Sequence, residues 1–540
     1  MRLFSPQNLP LLGFYIFLIV FACLPIWSFE RFINQDGSPH VYNAYIMLEL
    51  LKDNTSIKQI YALNSVPIPN LTGYFLLAGL LVFFSAATVT KLIVTFTFAA
   101  FVAAVGWLRF RTAGREGLKT SLLLGTALAF NWMWFLGFYN FIIGVVGFIF
   151  TLGLFWKWRE NLNLRRSFVL SILLVFVFFS HLIGFGMLAA SLLILSIFVS
   201  RSILRKTLIW TLAAFLPVLP FIIGYKLLSD TEGGGLSPVW QHLSNPLSLS
   251  NWILQLQGAD PFLLLSHKAL PFVETESVVF AVFSSVLLLA AALICLLLGT
   301  FIRQKQSVFS GQYLPFVLLT SFSIIFWVIA PDDFGKSHGG FLRERVLLCG
   351  LVCFVPLFRT EISSHLKKAA QVCLVFIIIF QTAALWEYAI WANRLGEEYL
   401  AAEQAIENTD SLGSIVLIED GCRFRANPMV NMNTLLGVSK NARVWDNYEI
   451  GYYLFPVIAR NPADRQFVFD FSGSNAINLC NPPEINEKFS RLDSLLNLHH
   501  DKIKVMLVWN GDERVSAILN KWYEDKPYFQ NGGVALFRHK

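Results

Sequence analysis

The chain has 540 residues, of which 55% are hydrophobic, 15% aromatic and only 14% charged, and its formal net charge is +7. Ordinary soluble domains carry about 25% charged residues, so this composition excludes a soluble multi-domain enzyme as well as a disordered, collagenous or coiled-coil chain. Residues 1–400 hold 27 Lys and Arg against 18 Asp and Glu, whereas the remaining 140 residues hold 15 against 17. The sequence therefore predicts a basic membrane part followed by a nearly neutral soluble part.

Apolar runs recur through the first 400 residues. The first run follows a start that lacks a small-residue cleavage site, so it is predicted to be a retained span and not a signal peptide. A span needs about 20 residues, and several runs are shorter. We therefore predict a polytopic α-helical membrane protein with about 11 to 13 spans, from runs at 9–29, 71–87, 92–108, 120–137, 138–156, 168–181, 182–200, 207–228, 277–301, 312–330, 343–358 and 369–391.

Short basic loops connect these runs and set the predicted orientation. By the positive-inside rule they are cytoplasmic, and they lie at 109–119, 157–166, 201–206, 303–305 and 359–368. Segments 30–70, 229–275 and 331–342 and the C-terminal part then lie outside. Two full spans between 71 and 108 would put the basic loop at 109–119 on the outer side. The sequence therefore favours a re-entrant pair on either side of Thr88–Lys91.

The segment 393–540 has a different pattern, with short β-rich runs separated by helical stretches. Runs at 414–420, 466–471, 504–510 and 533–539 are predicted strands, and 513–522 is a predicted helix. This alternation is typical of a small α/β domain. Its two cysteines, Cys422 and Cys480, permit one disulfide in an oxidising compartment.

The acidic residues of the membrane part are few, and a carboxylate near a membrane is costly, so their positions are informative. In the segment FINQDGSPHVYNAYIMLELL (32–51), Asp36 precedes a Gly-Ser-Pro turn and His40. Such a turn holds a carboxylate and an imidazole together at the membrane surface. That pairing suits glycosyl transfer from a lipid phosphate, in which a carboxylate removes the acceptor's proton and cationic groups stabilise the departing phosphate. The alternative is that Asp36 only caps a turn or helix.

This layout resembles the GT-C superfamily of integral-membrane glycosyltransferases. The DGSPHVYNA segment is similar to a first-loop motif of bacterial members, and GFYNFIIG (137–144) is similar to a second segment of that group. The resemblance implies that Asp36 is the catalytic aspartate, that His40 is its supporting partner, that transfer is inverting, and that the donor is a polyprenyl-phosphate-linked sugar. The first loop lacks the paired acids that several of these families carry, which leaves a divalent metal as an open alternative.

A second group of candidate residues precedes and begins the run at 343–358. Arginine suits phosphate recognition, so Arg343 or Arg345 is the predicted contact of the lipid phosphate, and the resemblance supports a late outer loop in this role. The alternative is interfacial charge whose arginines only extend to the membrane surface. His181 is predicted to face a cavity or to be an ordinary buried histidine. The other candidates for substrate or phosphate binding are Asp332, Asp333, Lys336 and His338.

The sequence thus predicts a glycosyltransferase of a bacterial inner membrane with a catalytic membrane part (1–392) and an extracytoplasmic α/β domain (393–540). Its partners are expected to be the lipid-linked donor and membrane lipids, with an acceptor that is a lipid, glycan or protein. Nucleic acid is not expected, because the basic residues are dispersed among loops. Two alternatives stay open: a transporter or lipid-glycan flippase, although no internal repeat is visible, and a membrane scaffold.

Overall fold

The structure is a computed structural model of the chain. It describes residues 9–231, 278–304, 313–330, 340–358, 363–408, 410–418, 424–479 and 482–540. Cys422 and Cys480 lie outside these residues, as does nearly all of the predicted outer segment 229–275.

Helices make up most of the described residues up to 400, with one short strand, β1 (Tyr61–Leu63), among them. In chain order they are α1 (Leu9–Trp27), α2 (Gly37–Leu51), α3 (Thr55–Lys58), α4 (Thr72–Leu81), α5 (Ala86–Ala113), α6 (Leu118–Ala129), α7 (Trp132–Leu136), α8 (Tyr139–Trp158), α9 (Leu164–Ser180), α10 (Leu182–Ile197), α11 (Arg201–Phe215), α12 (Leu219–Thr231), α13 (Val278–Gln304), α14 (Leu314–Ile329), α15 (Leu342–Cys353) and α16 (Ser364–Leu400).

Five helical segments among the described residues are long and apolar enough to cross a membrane. They are Leu9–Trp27, Ala86–Ala113, Tyr139–Asn161, Arg201–Leu227 and Ser364–Ala405. Large apolar side chains on their outer faces, such as Phe17, Val20 and Phe376, are exposed. Lipid covers faces of this kind in membrane proteins. The prediction of a helical protein with membrane-length apolar helices is confirmed.

The region 71–108 differs from the prediction. The expected break at Thr88–Lys91 is wrong, because α5 runs through these residues without interruption. The chain instead breaks just before α5, where the Ser85 side chain accepts a hydrogen bond from the Thr88 amide (3.4 Å). The preceding helix, α4, has ten residues and is about 15 Å long at 1.5 Å per residue, half of a ~30 Å hydrocarbon core.

Several of the predicted basic loops meet at one end of the helix bundle. The Arg109 guanidinium at the end of α5 donates to the backbone carbonyl of Phe358, which follows α15. The Thr207 hydroxyl in α11 donates to the carbonyl of Arg159 after α8 (2.9 Å). Helices α5 and α8 are also in contact near these ends, because the Trp107 indole donates to the carbonyl of Phe150 (3.1 Å). Four of the five basic loops therefore begin or end close together.

The C-terminal part contains a six-stranded sheet with helices, which confirms strands in this region. Strand β2 (Ser411–Ile418) is central and fully buried. It pairs in parallel with β3 (Arg443–Val444), β5 (Ala476–Asn478) and β6 (Val505–Trp509), and antiparallel pairing then adds β8 (Val534–Arg538) and β7 (Phe529–Asn531). The helices are α17 (Asn433–Lys440), α18 (Pro462–Ser472), α19 (Pro482–His499) and α20 (Glu513–Leu519).

The strand predicted at 466–471 is wrong, because these residues lie in α18. The Asn461 side chain accepts from the Ala463 amide (3.1 Å), and Pro462 occupies the first turn, so the local sequence starts a helix. Phe467 and Phe471, four residues apart, are buried on one face. In QFVFDF a phenylalanine stands at every second position, which is typical of a strand, so the helical spacing was not evident from the sequence.

The C-terminal part is docked against the segment that follows α1. Strand β1 pairs antiparallel with β4 (Val457–Ala459) in a separate two-stranded sheet. The Tyr42 hydroxyl of α2 donates to the carbonyl of Ala442 (2.6 Å). In addition, α16 runs without interruption through residue 392, where the sequence predicts the domain boundary. The segment 30–70 and the C-terminal part therefore form one packed unit around the candidate site.

Candidate active site

Asp36 lies at the start of α2 without capping it. It occupies the N-cap position, but its side chain forms no cap hydrogen bond. Its carboxylate instead accepts from the Asn431 amide (3.2 Å) and from the Tyr448 hydroxyl, and both partners belong to the C-terminal part. Asp36 therefore stands at the turn and N-cap position that the alternative named, but its side chain does not cap the helix.

The chain turns tightly between Asp36 and α2. A Cβ on Gly37 would lie 2.0 Å from Asn34 Oδ1 and 2.3 Å from Tyr139 Oη, distances that only glycine tolerates. The Tyr139 hydroxyl donates to Asn34 Oδ1 (3.0 Å). Tyr139 belongs to the GFYNFIIG segment, so the two segments that carry the family resemblance contact each other.

Burial governs the charge of Asp36. Its side chain is 8% exposed, and this burial raises the pKa of its carboxyl to about 7. Nearby His40 and, more weakly, Arg345 oppose the rise, while Glu449 adds to it. A carboxyl group with a pKa near neutrality accepts and releases protons at physiological pH, as a general base must.

His40 lies one helical turn after Asp36, and its Nδ1 atom faces a carboxylate. Nδ1 forms an ion pair with Glu449 Oε1 and lies 2.6 Å from the Tyr74 hydroxyl. That hydroxyl donates to Glu449 Oε2 (2.6 Å). Burial lowers the pKa of His40, but the Glu449 carboxylate and Asp36 outweigh it, so the net shift is upward.

Glu449 has no predicted role in the sequence, although it lies at the centre of the site. It sits in a 3-10 turn, Tyr448–Gly451, and is fully buried. The Asn43 amide of α2 donates to its carboxylate across 406 sequence positions. Acidic residues are common in a soluble domain, so no local signal distinguished Glu449 from its neighbours.

Arg345 and His181 form a second polar pair. Arg345, in the first turn of α15, is buried with its guanidinium 4.8 Å from the Phe138 ring centroid and 5.4 Å from that of Phe141. Its Nη1 lies 3.1 Å from His181 Nε2. His181 occupies the junction between α9 and α10, where the helical path breaks. Sequence reasoning named both residues but did not pair them.

A cavity of about 560 Å³ connects His40 with the Arg345–His181 pair, and neither Asp36 nor Glu449 is part of its wall. His40, Arg345, His181 and Tyr448 contribute polar groups to its wall. The rest of the wall is mainly apolar, with contributions from α8, α10, α14 and α15 that include Phe185, Met187, Phe322, Phe326 and Val346.

The structure distinguishes among the predicted phosphate ligands. Arg345 lines the cavity, whereas Arg343 is half-buried in the same helix and is not part of the cavity wall. The remaining candidates, Asp332, Asp333, Lys336 and His338, lie outside the described residues. Within the described ranges, no group of three or more His, Cys, Asp or Glu side chains is arranged to hold a metal ion.

Neither a known protein family nor any curated protein matches this chain. The geometry of the cavity and of the residues that surround it is therefore the basis for a functional assignment.

Proposed function

We propose that the protein is a membrane glycosyltransferase that moves a sugar from a polyprenyl-phosphate donor to a lipid, glycan or protein acceptor. One observation carries the proposal. A mainly apolar cavity between helices is lined at polar positions by Arg345 and His40, and the Asp36 carboxylate accepts a hydrogen bond from Tyr448, which also lines the cavity. An isoprenoid phosphate is complementary to such a cavity. Its apolar chain suits the apolar wall, and its anionic phosphate suits the cationic side chains.

Arg345 is the proposed phosphate ligand. A guanidinium presents several donors in a fixed plane, which suits phosphate oxygens. The rings of Phe138 and Phe141 hold the group in place. Burial in low-dielectric surroundings strengthens its attraction for an anion.

In the proposed reaction, the acceptor's hydroxyl oxygen attacks the anomeric carbon and forms the new glycosidic bond. The bond between that carbon and the phosphate oxygen breaks, and its electron pair stays on the polyprenyl phosphate. The hydroxyl proton passes to the Asp36 carboxylate. Arg345 and the His40 imidazolium stabilise the charge that develops on the phosphate. Attack opposite the leaving group inverts the anomeric configuration.

The short α4 supports a specific topology. If α4 remains on the outer side, α1 crosses outward and α5 inward, which puts the basic loop at 109–119 in the cytoplasm. Nine further crossings then alternate in direction and, with α1 and α5, bring the total to 11: α6–α7, α8, α9, α10, α11–α12, α13, α14, α15 and α16. This arrangement puts the cavity and the C-terminal part on the outer face of a membrane, which we propose to be a bacterial inner membrane.

The test is transfer of radiolabelled sugars from synthetic polyprenyl phosphates by the purified protein in liposomes. We expect Asp36→Asn to reduce transfer by about 10² to 10⁴-fold, the range for loss of a positioned base. The substitution is nearly isosteric and removes a buried charge, so the variant should fold. Asp53→Asn is the matched control, because Asp53 is an exposed carboxylate of the same segment.

Full activity of Asp36→Asn would overturn the proposal. Movement of a lipid-linked sugar across the liposome membrane without transfer would instead support the transporter alternative.

A further inference from the structure

We propose that Glu449 is the positioning residue of His40, so that the C-terminal part completes the active site and takes part in the transfer reaction. This inference rests on the proposed function and assigns a chemical role to the C-terminal part.

The partners of the Glu449 carboxylate come from the other end of the chain. Oε1 pairs with His40 Nδ1, and Oε2 accepts from the hydroxyl of Tyr74 (2.6 Å) and from the Asn43 amide. These three residues belong to α2 and α4. The carboxylate is therefore directed out of the C-terminal part and into the membrane part.

Asp446, three residues earlier, shows the contrasting arrangement. It is also buried, but its carboxylate accepts from Ser414, Asn433 (3.0 Å) and Asn475 (3.2 Å), all within the C-terminal part. A carboxylate that served only the stability of the C-terminal part would be satisfied in this way. The partners of Glu449 lie in α2 and α4 instead, and one of them, His40, lines the cavity.

The pairing determines which nitrogen of His40 is available to a ligand. Nδ1 is engaged by Glu449 and Tyr74, so Nε2 is the remaining ring nitrogen of a residue that lines the cavity. The Tyr74 and Tyr139 rings, with centroids 5.3 and 5.8 Å away, hold the imidazole on two sides. A carboxylate on one nitrogen fixes the orientation of the ring and stabilises its protonated form.

The groups that face His40 favour the imidazolium. Glu449 and Asp36 are the acidic residues, and Tyr74 and Tyr139 contribute phenol groups. Arg345 is a cation that lines the same cavity. The carboxylates outweigh burial, so the pKa of His40 is raised. Nε2–H is then a charged donor to the phosphate that departs.

The first experiment compares Glu449→Gln with wild type in the transferase assay from pH 5.5 to 9. We expect kcat to fall about 10²-fold, as for loss of a positioned proton-bearing group. Loss of the adjacent carboxylate should lower the pKa of His40. We therefore also expect the alkaline limb of the pH profile to move to lower pH by about one unit or more. Asp446→Asn is the matched control, and it should lower the thermal midpoint without moving the limb.

A second variant keeps the inference testable if Glu449→Gln does not fold. Glu449→Asp retains the charge but draws the carboxylate back by one methylene. We expect kcat to fall by up to about 10²-fold, the effect of a displacement near 1 Å. Full activity of Glu449→Asp, or an unmoved alkaline limb in a folded Glu449→Gln protein, would overturn the inference.

Binding of farnesyl phosphate provides a measurement that does not depend on turnover. In the wild type, affinity should fall as rising pH deprotonates His40, and in Glu449→Gln the fall should occur at lower pH. Suppose that Asp36→Asn abolishes transfer while Glu449→Gln keeps the kcat and the alkaline limb of the wild type. In that case only the role proposed for Glu449 is wrong. If Asp36→Asn retains full transfer, the proposed function itself is wrong.

Discussion

The guanidinium of Arg345 lies 3.1 Å from Nε2 of His181, although 164 positions separate the two residues. A guanidinium has donors only, so this contact makes Nε2 the acceptor and requires a neutral imidazole. The positive charge of the pair therefore belongs to Arg345, beside the cavity and against two phenylalanine rings.

Replacement of Arg345 should weaken phosphate binding. A hydrogen bond to a charged group is worth about 1.5 to 3 kcal/mol, so Arg345→Gln should reduce the affinity for farnesyl phosphate by about tenfold or more. Isothermal titration calorimetry of the protein in detergent measures this. Arg159→Gln is the matched control, because Arg159 also lies over an aromatic ring, that of Trp156 (3.7 Å), but at the opposite end of the bundle. Equal losses in both variants would contradict the assignment of Arg345.

The pH dependence of transfer should have its acid limb near neutrality. A base works only when ionised, and burial raises the pKa of Asp36 to about 7. Protonation then removes activity as the pH falls below about 7, tenfold per pH unit in kcat/KM. An acid limb near pH 4, where an exposed aspartate titrates, would show that another group is the base. Initial rates between pH 4.5 and 8 decide between these outcomes.

Gly37→Ala should destabilise the protein. The added Cβ would meet Asn34 and Tyr139 at 2.0 and 2.3 Å, so the turn before α2 must shift. Overpacking of this kind costs about 1 to 3 kcal/mol, and the thermal midpoint should fall. Gly13→Ala is the control, because nothing lies within 4 Å of its added Cβ. An unchanged midpoint for Gly37→Ala would contradict the close packing of this turn.

Tyr42→Phe should loosen the docking of the C-terminal part. It removes the donor to the buried Ala442 carbonyl, a loss of about 1 to 3 kcal/mol. Limited proteolysis should then cleave the C-terminal part faster than in the wild type. Tyr15→Phe is matched, since its hydroxyl donates to the Ala99 carbonyl (3.0 Å) between α1 and α5. It should leave the cleavage rate unchanged, and similar rates for both variants would argue against docking through Tyr42.

Composition and apolar runs were enough to predict the helical part, because burial in lipid selects long apolar sequences. The strands at β2, β6 and β8 were predicted correctly from their β-rich runs. The break between α9 and α10 at His181 agrees with the apolar runs, but the break expected at Thr88–Lys91 does not occur. At Thr88–Lys91 the polar residues suggested an interruption, but Lys91 extends its ammonium to the carbonyl of Phe29 and remains within α5.

The candidate site was only half visible in the sequence. Asp36 and His40 stand one helical turn apart in a short segment, so local spacing is enough to bring them together. Glu449 reaches them through tertiary packing over some 400 positions. The pairing of Arg345 with His181 likewise depends on how α15 meets the junction of α9 and α10, and a single sequence contains no record of such contacts.

The position of Glu449 also determines when the site is assembled during protein synthesis. It is residue 449 of 540, so most of the membrane helices leave the ribosome before the carboxylate that pairs with His40 has been made. Until then, the His40 imidazole and the Tyr74 hydroxyl lack the carboxylate that pairs with both. A chain that is truncated before residue 449 therefore contains His40 and Tyr74 without their shared carboxylate partner.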